Sequence, residues 1–169
     1  MGTGVRRIER DAADRFSLSG NYVTCAFVDD GGGVWLGTKD CGVNWSGLAQ
    51  TNFRKHYTAS GSSLEGCIVS GFAEESPSKV WVTTEQAGLL LWNPETSDVQ
   101  RVSTPGIPTM VFSPCIDGNY LWFGSLHGLY RLDTRTHTLK SYGVLRKKSG
   151  RNDHKVYLDL SFYHEMKTQ

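Results

Sequence analysis

Three short runs in this chain say the same thing: Val34-Trp35-Leu36-Gly37-Thr38, Val80-Trp81-Val82-Thr83-Thr84 and Leu121-Trp122-Phe123-Gly124-Ser125. Their tryptophans are separated by 46 residues (81 minus 35) and 41 residues (122 minus 81). That period belongs to a repeated supersecondary unit. The echo continues on both sides. Before each run stands an acidic or turn-forming stretch: Asp29-Asp30-Gly31-Gly32-Gly33, Glu74-Glu75-Ser76-Pro77-Ser78 and Asp117-Gly118-Asn119. After each run a glycine opens a second apolar run, at Gly42, Gly88 and Gly128, and a polar turn then leads to a last short run.

Each unit also begins with an apolar stretch, at residues 22–28, 67–73 and 110–116, so the count is four strands per repeat. A lone sheet of that size is at best marginally stable in water and must stack on its neighbours. In a strand Val34, Leu36 and Thr38 point to one side and Trp35 and Gly37 to the other, and both sides are apolar. This is the pattern of a strand sandwiched between two sheets. The small residue two places after each tryptophan, Gly37, Thr83 or Gly124, leaves room for close approach. The expected fold is all-β, a partial β-propeller of about three four-stranded antiparallel blades. The expected limits are residues 1–19 as an N-terminal flank with an outer strand of a preceding blade, 20–61, 62–105 and 106–143 as the three blades, and 144–169 as a loop and the incomplete start of a further blade. Three blades are fewer than the roughly 4–8 that close a ring, so the arc reads as a piece of a larger propeller.

The run Cys115-Ile116-Asp117-Gly118-Asn119-Tyr120-Leu121-Trp122-Phe123-Gly124-Ser125, followed by Leu132-Asp133-Thr134-Arg135-Thr136, resembles the two-component regulator propeller repeat. Such repeats build the periplasmic sensor region of Bacteroides-type hybrid two-component histidine kinases. The likeness covers residues 20–143. The second repeat departs from it, with Thr83 in place of glycine and Ser76-Pro77-Ser78 in place of an Asp-Gly turn. The resemblance implies a non-catalytic, ligand-sensing segment of a periplasmic signalling receptor that responds to a glycan or oligosaccharide. The alternative readings are a fragment of a propeller enzyme, a glycosidase or lyase, and a protein-interaction propeller.

Charge and cysteine usage bear on those readings. Eighteen Lys and Arg against 17 Asp and Glu leave a net +1, without the basic excess that phosphate-backbone binding needs, so nucleic acid is not an expected partner. No apolar run approaches the ~18 residues of a membrane span, and the first residues lack the apolar core of a signal peptide. Cys25, Cys41, Cys67 and Cys115 contain no Cys-x-x-Cys pair; packing is expected for three of them, and a disulfide through Cys41 stays open. The five histidines share no metal-ligand spacing, so neither metal nor cofactor is expected. Asn44-Trp45-Ser46 matches a glycosylation acceptor but overlaps a strand.

No catalytic residue is assigned. Asp29, Asp30, Glu74, Glu75 and Asp117 recur at equivalent places, as turn geometry would make them, whereas a hydrolase needs carboxylates converging on one pocket. The candidate ligand residues lie on the hairpins joining the second strand to the third: Lys39 and Asp40, Glu85 and Gln86, and His127. Propeller geometry puts these hairpins on one face of the disc and the acidic turns on the other. The expected partners are an oligosaccharide, and the remaining blades of the propeller or self-association through the open edges.

Overall fold

The computed structural model describes residues 7–39, 41–47, 53–56 and 67–143. Among them the chain is all-β, with twelve strands in three four-stranded antiparallel sheets. Blade 1 holds β1 (Val23–Val28), β2 (Val34–Thr38), β3 (Val43–Ser46) and β4 (Arg54–His56). Blade 2 holds β5 (Val69–Ser76), β6 (Lys79–Thr84), β7 (Leu89–Asn93) and β8 (Asp98–Arg101). Blade 3 holds β9 (Phe112–Asp117), β10 (Tyr120–Ser125), β11 (Gly128–Asp133) and β12 (Leu139–Gly143). Every sheet is an up-and-down meander in chain order. The three tryptophan runs are the second strands β2, β6 and β10.

The blades stack through their first strands, β1 against β5 and β5 against β9. Blade 1 and blade 2 enclose Trp35, Val43, Val69, Phe72, Val82, Leu90 and Trp92. Blade 2 and blade 3 enclose Trp81, Leu89, Val111, Leu121, Phe123, Tyr130 and Leu132. Each repeated tryptophan thus faces the blade that follows it. Trp35 meets Trp92 edge to face, with ring centroids 4.9 Å apart, a favoured arrangement for aromatic pairs. Among the described residues only blade 2 has a sheet on both sides, and its β6 shows this: Val80, Trp81 and Val82 are all essentially fully buried. In β2 and β10 one face is closed and the other half-open, at Val34 and Leu36 in the first and Trp122 in the last.

Hydroxyls tie the stack together along the axis. Thr24 donates to the carbonyl of Val69 in the next blade, and Ser70 repeats this to Val111. On the outer side the third and fourth strands of blades 2 and 3 are joined by the same turn. The side chain of Asn93 accepts the backbone N–H groups of Glu95 (2.9 Å) and Thr96 (3.3 Å). Asp133 accepts those of Arg135 and Thr136, both at 2.9 Å. Ser97 and His137 close the two turns at φ 64° and 56°.

These bonds hold the Asp133 carboxyl below the usual aspartate range, the Thr136 amide contributing most and the Arg135 amide next. A carboxyl so depressed supports the folded turn above the usual aspartate pKa. The support is lost as pH falls through the lowered value. An NMR titration should therefore show the Thr136 and Arg135 amide shifts moving together in acid below the ordinary aspartate midpoint, and staying flat in Asp133→Asn.

Residues 7–22 carry no strand, so the described part of the N-terminal flank does not supply the outer strand of a preceding blade. The flank instead binds blade 1. The carbonyl of Phe16 accepts from the N–H of Phe53 beside β4, and Ser19 pairs with Asn44 in β3. Asn44 is fully buried in that pair, which makes it a packing residue and no glycan acceptor in the folded sheet.

Candidate ligand-binding face

The carboxylates of the acidic turns have a definite task. Asp29 Oδ2 accepts the indole N–H of Trp35 at 2.7 Å, and Glu75 Oε2 accepts that of Trp81 at 2.7 Å. In both blades the acid stands six residues before the tryptophan. A buried indole N–H needs an acceptor, and the turn supplies it. Glu75 also binds Lys79 Nζ at 2.9 Å and, across the blade boundary, Thr134 Oγ1 at 3.3 Å. Glu74 likewise reaches back to the N–H of Asp30 in blade 1 at 3.0 Å. The sequence reading took these acids for turn formers alone. The acid-to-tryptophan spacing was visible in two repeats, and its absence in the third, where Ile116 holds the place, leaves the buried indole N–H of Trp122 without an acceptor.

The opposite face carries the hairpins between second and third strands. Lys39, at the end of β2, donates its backbone N–H to Tyr22 O and holds its ammonium 5.5 Å from the Tyr22 ring centroid. Asp40 lies outside the described residues. Glu85 donates its N–H to Ile68 O, and the Gln86 side-chain oxygen accepts from Ile68 N at 2.7 Å, so this hairpin grips the segment leading into β5. His127 bonds through its backbone to Ser125 Oγ at 3.4 Å. The three hairpins project from one edge of three adjacent blades. Among the described residues no hydrogen bond or ion pair links Lys39, Glu85, Gln86 and His127 to one another, so the structure brings them to one face without making them one cluster.

Two clefts open on that face, on either side of the segment joining blade 2 to blade 3. The first, of about 310 Å³, is lined by Ala87, Gly88, Arg101, Val102, Ser103, Thr104, Ile107 and Pro108. The second, of about 370 Å³, is lined by Gly106, Pro108, Thr109, Met110, Ser125, Leu126, His127 and Tyr130. Gly88 is what lets the joining segment lie so close: its φ is +73°, and a Cβ there would stand 2.7 Å from the Pro108 carbonyl oxygen. Arg101 and Tyr130 enter the candidate list only through the tertiary structure. His127 is the one candidate from the sequence that lines a cleft.

Cysteine chemistry contributes nothing to this face. Cys25, Cys41, Cys67 and Cys115 form no disulfide with one another, and burial raises the thiols of Cys25 and Cys67 above the usual value. Among the described residues no group of three or more His, Cys, Asp or Glu could hold a metal ion, and no helix is long and apolar enough to cross a membrane.

The architecture and the repeat point to a known family. Residues 17–40, which hold the entry to blade 1, its acidic turn and the whole of β2, match the model of the two-component regulator propeller family. Over that segment the chain is similar to one two-component regulator propeller repeat. Among solved structures, the three-bladed arc is similar to the extracellular domain of BT3049 from B. thetaiotaomicron, assigned as a hybrid two component system. The TM-score is 0.67 and the identity 17%, over 79% of this chain and 20% of that one. It is also similar to the extracellular domain of BT4673 from the same organism, with a TM-score of 0.65 and 22% identity, over 87% of this chain and 18% of that one. A streptogramin B lyase shares the propeller fold at a TM-score of 0.58 and 18% identity, over 74% of this chain and 41% of that one. The chain thus spans about a fifth of the length of the two extracellular domains, and the fold reads as part of a larger propeller. A comparison with curated proteins gave no match.

Proposed function

We propose that this chain is a non-catalytic segment of the ligand-sensing propeller of a periplasmic two-component receptor, and that its hairpin face takes part in binding a glycan or oligosaccharide. The observation that carries the reading is the coincidence of a segment matching the regulator propeller repeat with two adjoining clefts, of mixed polar and apolar lining, on the face that presents Glu85, Gln86 and His127. Sugar recognition calls for planar polar groups beside an aromatic or apolar wall. Here Arg101 and His127 supply the first, and Tyr130, Ile107 and Pro108 the second. A ligand seated across blades 2 and 3 would favour one relative setting of the two, and could drive signalling only by its differential affinity for the two settings.

Titration calorimetry with neutral and acidic oligosaccharides tests the reading. His127→Ala, and Glu85→Ala combined with Gln86→Ala, are each expected to weaken binding by about tenfold, the equivalent of one well-placed hydrogen bond. Unchanged affinity in both would remove this face from ligand recognition. Turnover of an oligosaccharide by the chain would instead favour the enzyme reading, for which the lyase fold is the nearest parallel.

A further inference from the structure

Hydrogen bonds hold blade 2 to blade 3 at three levels. On the hairpin side Gly88 donates its N–H to Thr109 O at 2.8 Å, and Val111 donates its own to Thr84 O at 2.9 Å. On the inner wall Ser70 Oγ donates to Val111 O at 2.5 Å. On the acidic-turn side Thr134 Oγ1 donates to Glu75 Oε1 at 3.3 Å. Between these levels lies the packed cluster that includes Trp81, Leu89, Val111, Leu121 and Phe123.

Among the described residues the third level is peculiar to this boundary. Asp29 and Glu75 each stand six residues before the tryptophan whose indole N–H they accept. Pro94 and Thr134 each follow the residue that caps the outer turn, Asn93 and Asp133. Where Glu75 has Thr134, Asp29 therefore has a proline, which offers neither a hydroxyl nor an amide N–H. Between blades 1 and 2 the acidic-turn side is bridged instead by Glu74 and the N–H of Asp30, an exposed contact. Thr134 is only 3% exposed. Its N–H is given to Asn119 O at 2.9 Å, so holding this residue holds both turns at that end of blade 3. Glu75 in turn gathers three donors, Lys79, Trp81 and Thr134. Of these, Trp81 is fully buried in the cluster between the two blades.

We propose that Glu75 is a positioning residue for the face on which the clefts open. By holding Thr134 it sets the spacing of blades 2 and 3 on the acidic-turn side. The packed cluster passes that spacing to the Gly88–Thr109 and Thr84–Val111 contacts on the hairpin side, beside both clefts. Contiguous packed side chains are the physical medium for such coupling. The role is independent of what the clefts bind, and it makes this boundary the one whose two edges respond together.

Amide hydrogen exchange of the full chain, followed by NMR where the rate reports the opening equilibrium, tests this. Thr134→Val keeps the side-chain shape and removes the hydroxyl. It should speed exchange at the Gly88 and Val111 amides by about tenfold, the equivalent of one hydrogen bond. The Thr38 amide of blade 1, bonded to Gly42 O, should keep its rate. The Trp81 indole N–H should stay protected, because Glu75 Oε2 still accepts it. Thr134→Ser returns the hydroxyl and should return the parent rates. Glu75→Gln, with one oxygen for three donors, should give the same selective acceleration, and it serves if Thr134→Val does not fold. Equal acceleration in all three blades would reduce the bond to general stability and overturn the proposal. Unchanged rates at Gly88 and Val111, or a Thr134→Ser chain as fast as Thr134→Val, would overturn it as well.

Discussion

Trp81→Ala is expected to lower the unfolding free energy of the chain by about 3–5 kcal/mol, the usual cost of truncating a large buried aromatic. Trp81 is fully buried between blades 2 and 3, and burying a side chain of that size is worth roughly 4–6 kcal/mol at about 25 cal/mol per Å². Its loss would also remove the donor at 2.7 Å from Glu75 and loosen the carboxylate that Lys79 and Thr134 share. Single domains are stable by only about 5–15 kcal/mol, so the variant should melt far below the parent in a urea titration followed by circular dichroism. Trp122→Ala supplies the contrast. That ring is half-buried and its N–H has no acceptor, so its truncation should cost less than half as much. Equal losses at the two positions would show that the following blade is not what buries the repeated tryptophan.

Gly37→Val is the second large effect. A Cβ at Gly37 would run into the Cys25 sulfur, and it would stand 2.8 Å from Val69 Cγ1 and 3.0 Å from Val69 Cβ. Cys25 belongs to the same blade and Val69 to the next, so neither a shift of the strand nor a widening of the blade spacing relieves both. An overpacking substitution of this kind costs roughly 1–3 kcal/mol, and Val adds two methyls beyond the Cβ. The expected loss is at the upper end of that range, with about 1 kcal/mol recovered when Val69→Ala is introduced as well, because the two residues share one contact. Gly47→Ala should be nearly neutral: its Cβ would meet Trp45 at 3.6 Å, an ordinary van der Waals distance.

The same comparison shows why the sequence could be read so far and no further. The tryptophan runs fall on β2, β6 and β10 with at most one residue of difference, because alternation along a strand is a local property and the turn residues on both sides fix the ends. Gly37 could be assigned a close approach for the same reason. The identity of the approaching atom could not, since Val69 is 32 residues away (69 minus 37) and meets it only when blades stack. The acids were misjudged in role though not in place. An aspartate before a glycine-rich turn looks the same whether it shapes the turn or caps an indole six residues on. On the ligand face the hairpins at Lys39, Glu85, Gln86 and His127 follow from strand order alone. The clefts do not, because they are made by residues 101–110 running between two sheets, and nothing local to β8 or β11 marks Arg101 or Tyr130 as a lining residue.

The sequence by itself determined that this chain is a threefold repeat of small antiparallel sheets, each with two apolar faces, because period-two alternation, turn chemistry and a recurring tryptophan are written within a single repeat. Tertiary structure alone decided which face of each tryptophan strand meets the next blade, which carboxylate holds which indole, and where the clefts open. Those facts arise from contacts between residues some forty positions apart, and such contacts exist only once the blades are set against one another.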